Sequence, residues 1–495
     1  MIDASSRPRG RVVPQLSRTE SATCDAMTFP DLLIASFTIA QVIWFFAIGA
    51  SVGSLINVIV YRLPLGLSIV SPPSRCPACE TRLTWRENIP VFGWLSLGGK
   101  CRFCRSRISP EYPLVELAVG LLFALLFTLW YLVPPTFQWL GVPFGQIAPE
   151  WAGPSRGYEL PLLSTWPMLL QVLVLMGCLV AMTLIDARTF TIPLVLTWIP
   201  AILAIVVHPL HALWLQLTAR GLPHAAPGWV WLIPTPGPMA WYWVGFSIAG
   251  ALGLGVSLLL LRAGLITRSF ADYEQWEEQA IARREAARSA DPAEPPSDAA
   301  APSVDPDAPL SSDEQADLWV QYPHARREMI KELAFLTPPV VLALIGGWGA
   351  TRLIARTSGW EFDPGLQRFI TDATVPLWLS ALCGALLGYL IGGGVVWAIR
   401  VAGSLAFGKE AVGLGDVHLM AAVGACLGWI DSILAFFLAA FVGLAWAILA
   451  SLFRGLQRQL PFGPHLAVAC LLVLLLKPLL ELGLSRLAQA PVVLP

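Results

Sequence analysis

The chain has 495 residues, of which 56% are hydrophobic and only 13% charged, with a mean hydropathy of +0.65 and a formal net charge of −1. Soluble domains carry about 25% charged residues, so this balance excludes an ordinary soluble protein, and it equally excludes a mainly disordered or fibrous one. The near-neutral charge offers no electrostatic footprint for nucleic acid.

Ten apolar blocks follow in chain order, near 33–61, 113–133, 166–186, 193–215, 241–262, 336–356, 375–399, 417–429, 431–453 and 463–484. Runs of this length predict an all-α polytopic membrane protein with about ten transmembrane helices. The eighth block is short for a hydrocarbon layer about 30 Å thick, which predicts a tilted or half-inserted helix. Gly and Pro within several blocks are compatible with membrane helices, where neighbours re-satisfy the backbone.

Sidedness follows from Arg and Lys. The loop after the first block holds Arg62, Arg75, Arg82, Arg86, Lys100, Arg102, Arg105 and Arg107. Alternation puts this loop on one side together with 187–192, 263–335, 400–416 and 454–462, all of which carry Arg or Lys. The opposite loops are poor in cations: 134–165 has only Arg156 and 216–240 only Arg220. The basic side is therefore expected to face the cytoplasm, with the apolar faces against lipid. Residues 1–32 form an N-terminal tail whose Arg7, Arg9, Arg11 and Arg18 conflict with this alternation. A start at Met27 removes the conflict, and no cleavable signal is evident. Within 263–335, the stretch Ala286–Asp313 is rich in Ala, Pro, Asp and Ser and predicts a largely disordered cytoplasmic linker. Its flank Tyr273–Arg288 predicts a charged surface helix.

The first basic loop contains Cys76-Pro-Ala-Cys79 and Cys101-Arg-Phe-Cys104. Two C-x2-C pairs about 20 residues apart are the pattern of a tetrahedral zinc site, because each pair makes a knuckle presenting two thiolates to one ion. Four cysteines leave no open coordination position, so such a zinc is structural. Arg75, Lys100, Arg102 and Arg105 lie beside the ligands and favour ionised thiols. Two disulfides or a redox dithiol are the other readings, disfavoured by a cytoplasmic position. Cys24, Cys178, Cys383, Cys426 and Cys470 show no ligand spacing.

Acids inside apolar blocks are expensive unless paired or functional. Two stand out. Asp186 closes Thr183-Leu-Ile-Asp186, shortly before Ile192-Pro193, and Asp416 closes Gly413-Leu-Gly-Asp416. The topology puts both at one membrane boundary. Two adjacent carboxylates share a proton, so that one activates water while the other polarises a carbonyl. Alone, Asp186 also reads as an interfacial helix-end acid and Asp416 as a helix N-cap. Glu116 reads as a first-turn dipole partner or as part of a polar site near the cysteine loop. His208 and His211 are expected at the far interface, and His418 beside the second acid.

The run Gly53-Ser-Leu-Ile-Asn57-Val-Ile-Val-Tyr-Arg62-Leu-Pro64 resembles the opening signature of bacterial prepilin peptidases. So do the cysteine loop with Trp85-Arg-Glu-Asn88-Ile-Pro90, the segment Ile108-Ser-Pro-Glu-Tyr112-Pro-Leu-Val-Glu116, and Gly408-Lys-Glu410-Ala-Val-Gly413-Leu-Gly-Asp416. Pro461-Phe-Gly-Pro464 is similar to a closing motif. The likeness covers about 49–133, 166–200 and 375–480. Gly-x-Gly-Asp alone also occurs in presenilin-like proteases, which lack the cysteine loop.

The resemblance implies a bifunctional membrane enzyme in the cytoplasmic membrane of a bacterium. Its aspartic peptidase cuts the leader of type IV prepilins or pseudopilins after a glycine, with Asp186 and Asp416 as the catalytic pair. Cys76, Cys79, Cys101 and Cys104 map onto the zinc ligands. A second activity methylates the new N-terminus using S-adenosylmethionine, in the N-terminal region. The implied organisation is 33–133 with the zinc loop 62–112 as the possible methyltransferase part, and 166–262 and 336–495 as the two parts of the peptidase domain. Three features depart from the family. Leu194 stands where an acid often follows Ile-Pro, His418 stands where a lysine is usual, and two extra spans plus the linker separate the aspartates. The rival readings are a methyltransferase without peptidase activity and a transporter or assembly scaffold, although no internal repeat supports the latter.

Overall fold

The computed structural model describes residues 29–133, 137–139, 142–143, 161–218, 232–270, 324–358, 360–363, 368–371, 374–408, 410–454 and 461–489, together with Trp276, Gln279 and Ala282. The tail 1–28 with Cys24 and Met27, the stretch Ala286–Asp313 and nearly all of the surface helix expected at Tyr273–Arg288 lie outside these residues.

Each expected apolar block is a helix, the form in which a chain in lipid satisfies its own N–H and C=O groups. In order they are α1 (Phe29–Arg62), a short α2 in the cysteine loop (Phe92–Ser96), α3 (Glu111–Phe127, continued by a π turn Thr128–Leu132), α4 (Pro161–Thr189) and α5 (Leu194–Thr218). Then come α6 (Ala240–Arg262), α7 (Ala325–Thr357), α8 (Leu377–Phe407), α9 (Leu414–Leu427), α10 (Trp429–Arg454) and α11 (Phe462–Ala488). Two small antiparallel hairpins depart from a purely helical reading: β1 (Gln138–Trp139) with β2 (Val142–Pro143), and β3 (Trp360–Asp363) with β4 (Arg368–Thr371).

Among the described residues, eight helices are long and apolar enough to cross a membrane: α1, α3 with its π turn, α4 to α8, and α10. With the two further apolar helices, α9 and α11, they account for the ten expected blocks. With 14 residues, α9 is about 21 Å long, too short for a hydrocarbon core of about 30 Å. In α11 the apolar stretch is Phe462–Lys477. Two boundaries also move. The segment from Ala325 to 335, assigned to the linker from its charge, is the first part of α7. Residues 400–407, assigned to a loop, continue α8 and place Arg400 inside a helix.

Among the candidate spans the most enclosed is α4, which packs against α1, α5 and α11 and touches α9. Around it, α8 joins α5, α9 and α10, while α6 and α7 form an antiparallel pair leaning on α8. Small residues let these backbones approach. A methyl on Gly388 would sit 1.9 Å from the Gly424 carbonyl, which locks α8 onto α9, and one on Gly245 would sit 2.2 Å from that of Gly346, which joins α6 to α7. Outward-facing Phe37, Trp44, Leu252, Trp348 and Leu444 give the helices an apolar exterior suited to lipid.

Candidate active site

Three helix ends build the site. Asp186 stands three residues before the C-terminus of α4, where the helix dipole disfavours an anion. Its compensation comes from α11, whose first turn directs the Gly463 N–H to Asp186 Oδ2 at 2.9 Å. The fit is close: a methyl on Gly463 would lie 2.7 Å from that oxygen. His465, two residues further on and itself hydrogen-bonded to the Pro461 carbonyl at 2.9 Å, acts electrostatically on the same carboxylate.

Asp416 arrives from the N-terminus of α9. The N-cap is Gly413, in an extended conformation, and Asp416 is the third helical residue rather than the cap itself. Its carboxylate is hydrogen-bonded by the Gly413 backbone and lies within electrostatic reach of both Asp186 and Arg400. Reaching back from the first turn to the cap is a known way to satisfy a free N–H. Gly415 makes room for the chain leaving α4, since a methyl there would sit 2.9 Å from Ile192 Cβ. Both acids are nearly enclosed, at 6% and 9% exposure, so each carboxylate sits in a medium where the other's charge is strongly felt.

The segments expected on one membrane side do converge. Arg188, just after the first acid, pairs with Glu111 at the foot of the cysteine loop. A third intramembrane acid, Asp431, stands apart: it is paired with Lys477 Nζ at 3.4 Å between α10 and α11. His208 and His211, expected at an interface, are instead buried. His208 Nε2 lies 3.0 Å from Gln171 Nε2, and neither histidine joins the acids. His418 is half-buried on α9. Gly463 lies in the quoted Pro461–Pro464 motif and acts through its backbone, whereas two contributors carry no sequence signal of a site role: His465 is one histidine among six, and Arg400 reads as a loop cation.

The cysteine loop is two copies of one turn. Cys76 N–H donates to the Thr81 carbonyl and Glu80 N–H to that of Cys76; Cys101 N–H donates to Ser106 and Arg105 N–H to Cys101 in the same pattern. The bridges Arg75↔Arg82 and Lys100↔Arg107 close the two knuckles, and Glu80 and Arg105 share a positive φ of 53° and 60°. The four sulfurs lie within 4.8 Å of one another, with Cys76 and Cys104 3.8 Å apart and Cys79 and Cys101 3.9 Å apart. A tetrahedral ion with Zn–S bonds of about 2.3 Å requires sulfurs about 3.8 Å apart, so the donors fit zinc, and they are far beyond a disulfide bond length. Backbone N–H groups of Cys79 and Ala78 bring the Cys76 thiol down to about 6, and the Ser106 hydroxyl lowers that of Cys104. Glu116 resolves to the second of its two readings, since its Oε2 accepts the Val91 N–H at 2.7 Å and ties α3 to the loop.

Comparisons with known proteins match two parts of the chain. Residues 47–130 match the family described as "Bacterial Peptidase A24 N-terminal domain", and 366–448 match "Type IV leader peptidase family". A prepilin leader peptidase/N-methyltransferase of Klebsiella pneumoniae is 34% identical over 227 residues, 44% of this chain and 82% of that protein. One of Myxococcus xanthus is 53% identical over 81 residues, 16% of this chain and 24% of that protein. One of Stutzerimonas stutzeri is 37% identical over 116 residues, 19% of this chain and 40% of that protein. The alignment thus spans most of the Klebsiella relative and less than half of the other two. No solved structure matches the chain.

Proposed function

The chain belongs to the type IV leader peptidase family, and from that premise we propose that Asp186 and Asp416 are the catalytic pair of a membrane aspartic endopeptidase acting on type IV prepilins or pseudopilins. The observation that carries this reading is that two enclosed carboxylates from segments 230 residues apart (416 − 186) lie within electrostatic reach of each other. One carboxylate takes a proton from water, the resulting hydroxide adds to the scissile carbonyl, and the protonated partner donates a hydrogen bond to the developing oxyanion. Collapse releases the leader's new carboxylate and passes a proton to the departing amine. No metal is needed at this site.

The four cysteines would hold a zinc ion as a strut that organises the loop between α1 and α3. Residues 33–133 are assigned to methylation of the exposed N-terminus with S-adenosylmethionine as donor. Residues 166–262 and 336–495 form the peptidase, with its site on the cytoplasmic side. That orientation is supported by the density of Arg and Lys in the converging segments.

Purified protein incubated with a leader-bearing prepilin is expected to release the leader by cutting after its glycine, as read by mass spectrometry. No cleavage, where a known leader peptidase cuts the same substrate, contradicts the reading. Gly463→Ala is a sharper probe of the geometry, because its methyl displaces the Asp186 carboxylate. A displacement of this kind is expected to lower kcat by about 10- to 100-fold with helix content unchanged. Wild-type turnover in that variant would show that Asp186 does not work from this position.

A further inference from the structure

Between the two aspartates lie α6, α7 and the segment joining them, which neither matched family region covers. This insertion is physically wired to the loop that carries Asp416. At the centre is Arg400 of α8, wholly buried, with Glu332 of α7 almost as enclosed at 2% exposure. Arg400 Nε donates to Glu332 Oε1 and Oε2 at 3.0 and 3.3 Å. Its Nη1 donates to the Glu410 carboxylate and the Val412 carbonyl, both in the loop immediately before Gly413. One guanidinium thus bridges the inserted helix and the catalytic loop.

Both sides of the segment joining α6 to α7 support the bridge. Where the chain leaves α6, Ser269 Oγ donates to Glu332 Oε1 at 2.8 Å, and the Phe270 ring lies 5.3 Å from Arg400 Cζ. The Phe270 N–H donates to Glu328 Oε2 at 2.9 Å, one turn before Glu332 on α7. Trp397 of α8 adds an indole N–H to Glu332 Oε2 at 2.9 Å. A buried carboxylate surrounded by a guanidinium, an indole and a hydroxyl is oriented from several directions, and it orients Arg400 in return. The plane of the guanidinium then sets where Glu410 and Val412 lie, and through them the start of α9.

We propose that the inserted α6–α7 pair is a positioning element for the catalytic loop, and that Glu332 exerts this through Arg400. The proposal rests on the reading of Gly413–Asp416 as the catalytic loop. Glu332 is a positioning residue, since it reaches the loop only by way of the arginine. The insertion is therefore a working part of the peptidase, and whatever separates the chain leaving α6 from the start of α7 also loosens the loop.

The test uses the full chain in detergent, with two readouts: leader cleavage, and amide hydrogen exchange of the 410–416 segment. Glu332→Gln keeps the shape of the side chain and removes its charge. It is expected to lower kcat by about 10- to 100-fold while KM changes less than about twofold, and to raise loop exchange by about tenfold. Glu332→Asp, which restores the charge, is expected to recover most of the turnover. Arg352→Ala, near the other end of α7, is expected to leave both readouts unchanged. If Glu332→Gln does not fold, Ser269→Ala decides the matter, because it removes a single hydrogen bond from a partly exposed residue. It is expected to lower kcat by about two- to threefold. Wild-type kcat and wild-type loop exchange in the folded variants overturn the proposal. Faster loop exchange in a protein whose wild type cuts no prepilin would leave the coupling standing and overturn the peptidase reading instead.

Discussion

Asp186→Asn and Asp416→Asn are each expected to lower the rate of leader release by roughly 10³-fold or more, because each removes one half of an acid–base pair that acts as a unit. The amide neither accepts a proton from water nor supplies one to the carbonyl oxygen. Asn is close to Asp in size, so the Gly463 N–H to Asp186 contact at 2.9 Å and the first turn of α9 are expected to persist. Prepilin binding should therefore change little while kcat collapses. The check is single-turnover cleavage with saturating enzyme, alongside a direct binding measurement. Loss of binding equal to the loss of rate would assign the acids to substrate recognition rather than to chemistry.

The second large effect concerns the cysteine loop. Most contacts in the two knuckles run between neighbours in sequence, and α2 has only five residues, so the loop has little core of its own. In zinc-finger peptides a structural zinc contributes on the order of 10 kcal/mol to folding. Cys76→Ser or Cys101→Ser is expected to abolish metal binding and expose residues 72–110 to proteolysis. Helices α8 to α11, which pack among themselves, are expected to stay protected. Elemental analysis with limited proteolysis measures both. A loop that stays protease-resistant after losing its metal would show that the Glu116 and Trp94 contacts to Val91 and Ile108 suffice to hold it.

The apolar blocks, the knuckles and the shared depth of Asp186 and Asp416 were legible because they rest on local pattern: run length, residue spacing, and the cost of a charge in lipid. What escaped depends on partners far away in sequence. Arg400 reads as a loop cation until Glu332, 68 residues earlier, is seen to pair with it inside the protein. Glu332 itself lies in a charged stretch, Arg326–Glu332, with the composition of a solvated tether, although there it begins a helix of 33 residues. His208 reads as interfacial because hydropathy takes no account of Gln171, which meets it from α4. The shortness of the eighth block was legible from its length, while its surroundings were not. A run such as Leu414–Leu427 is apolar because protein surrounds it, with ten of its 14 residues buried, and not because lipid does.

The Arg188 pairing with Glu111 adds a link that no motif announced. It ties the end of α4 to the foot of the cysteine loop, so the two candidate sites share a joint. Disturbing that joint should be felt at Asp186, two residues away.

The most direct test of the central claim is where the scissile bond sits. A prepilin carrying a photo-crosslinking residue next to the cleavage glycine would be bound to Asp416→Asn protein and irradiated. The adducts are expected in the peptides that contain 183–193, 410–418 and 461–465, which border the two acids. Adducts confined to the cysteine loop or to the outer faces of α6 and α7 would contradict the assignment of Asp186 and Asp416 as the pair that cuts the leader.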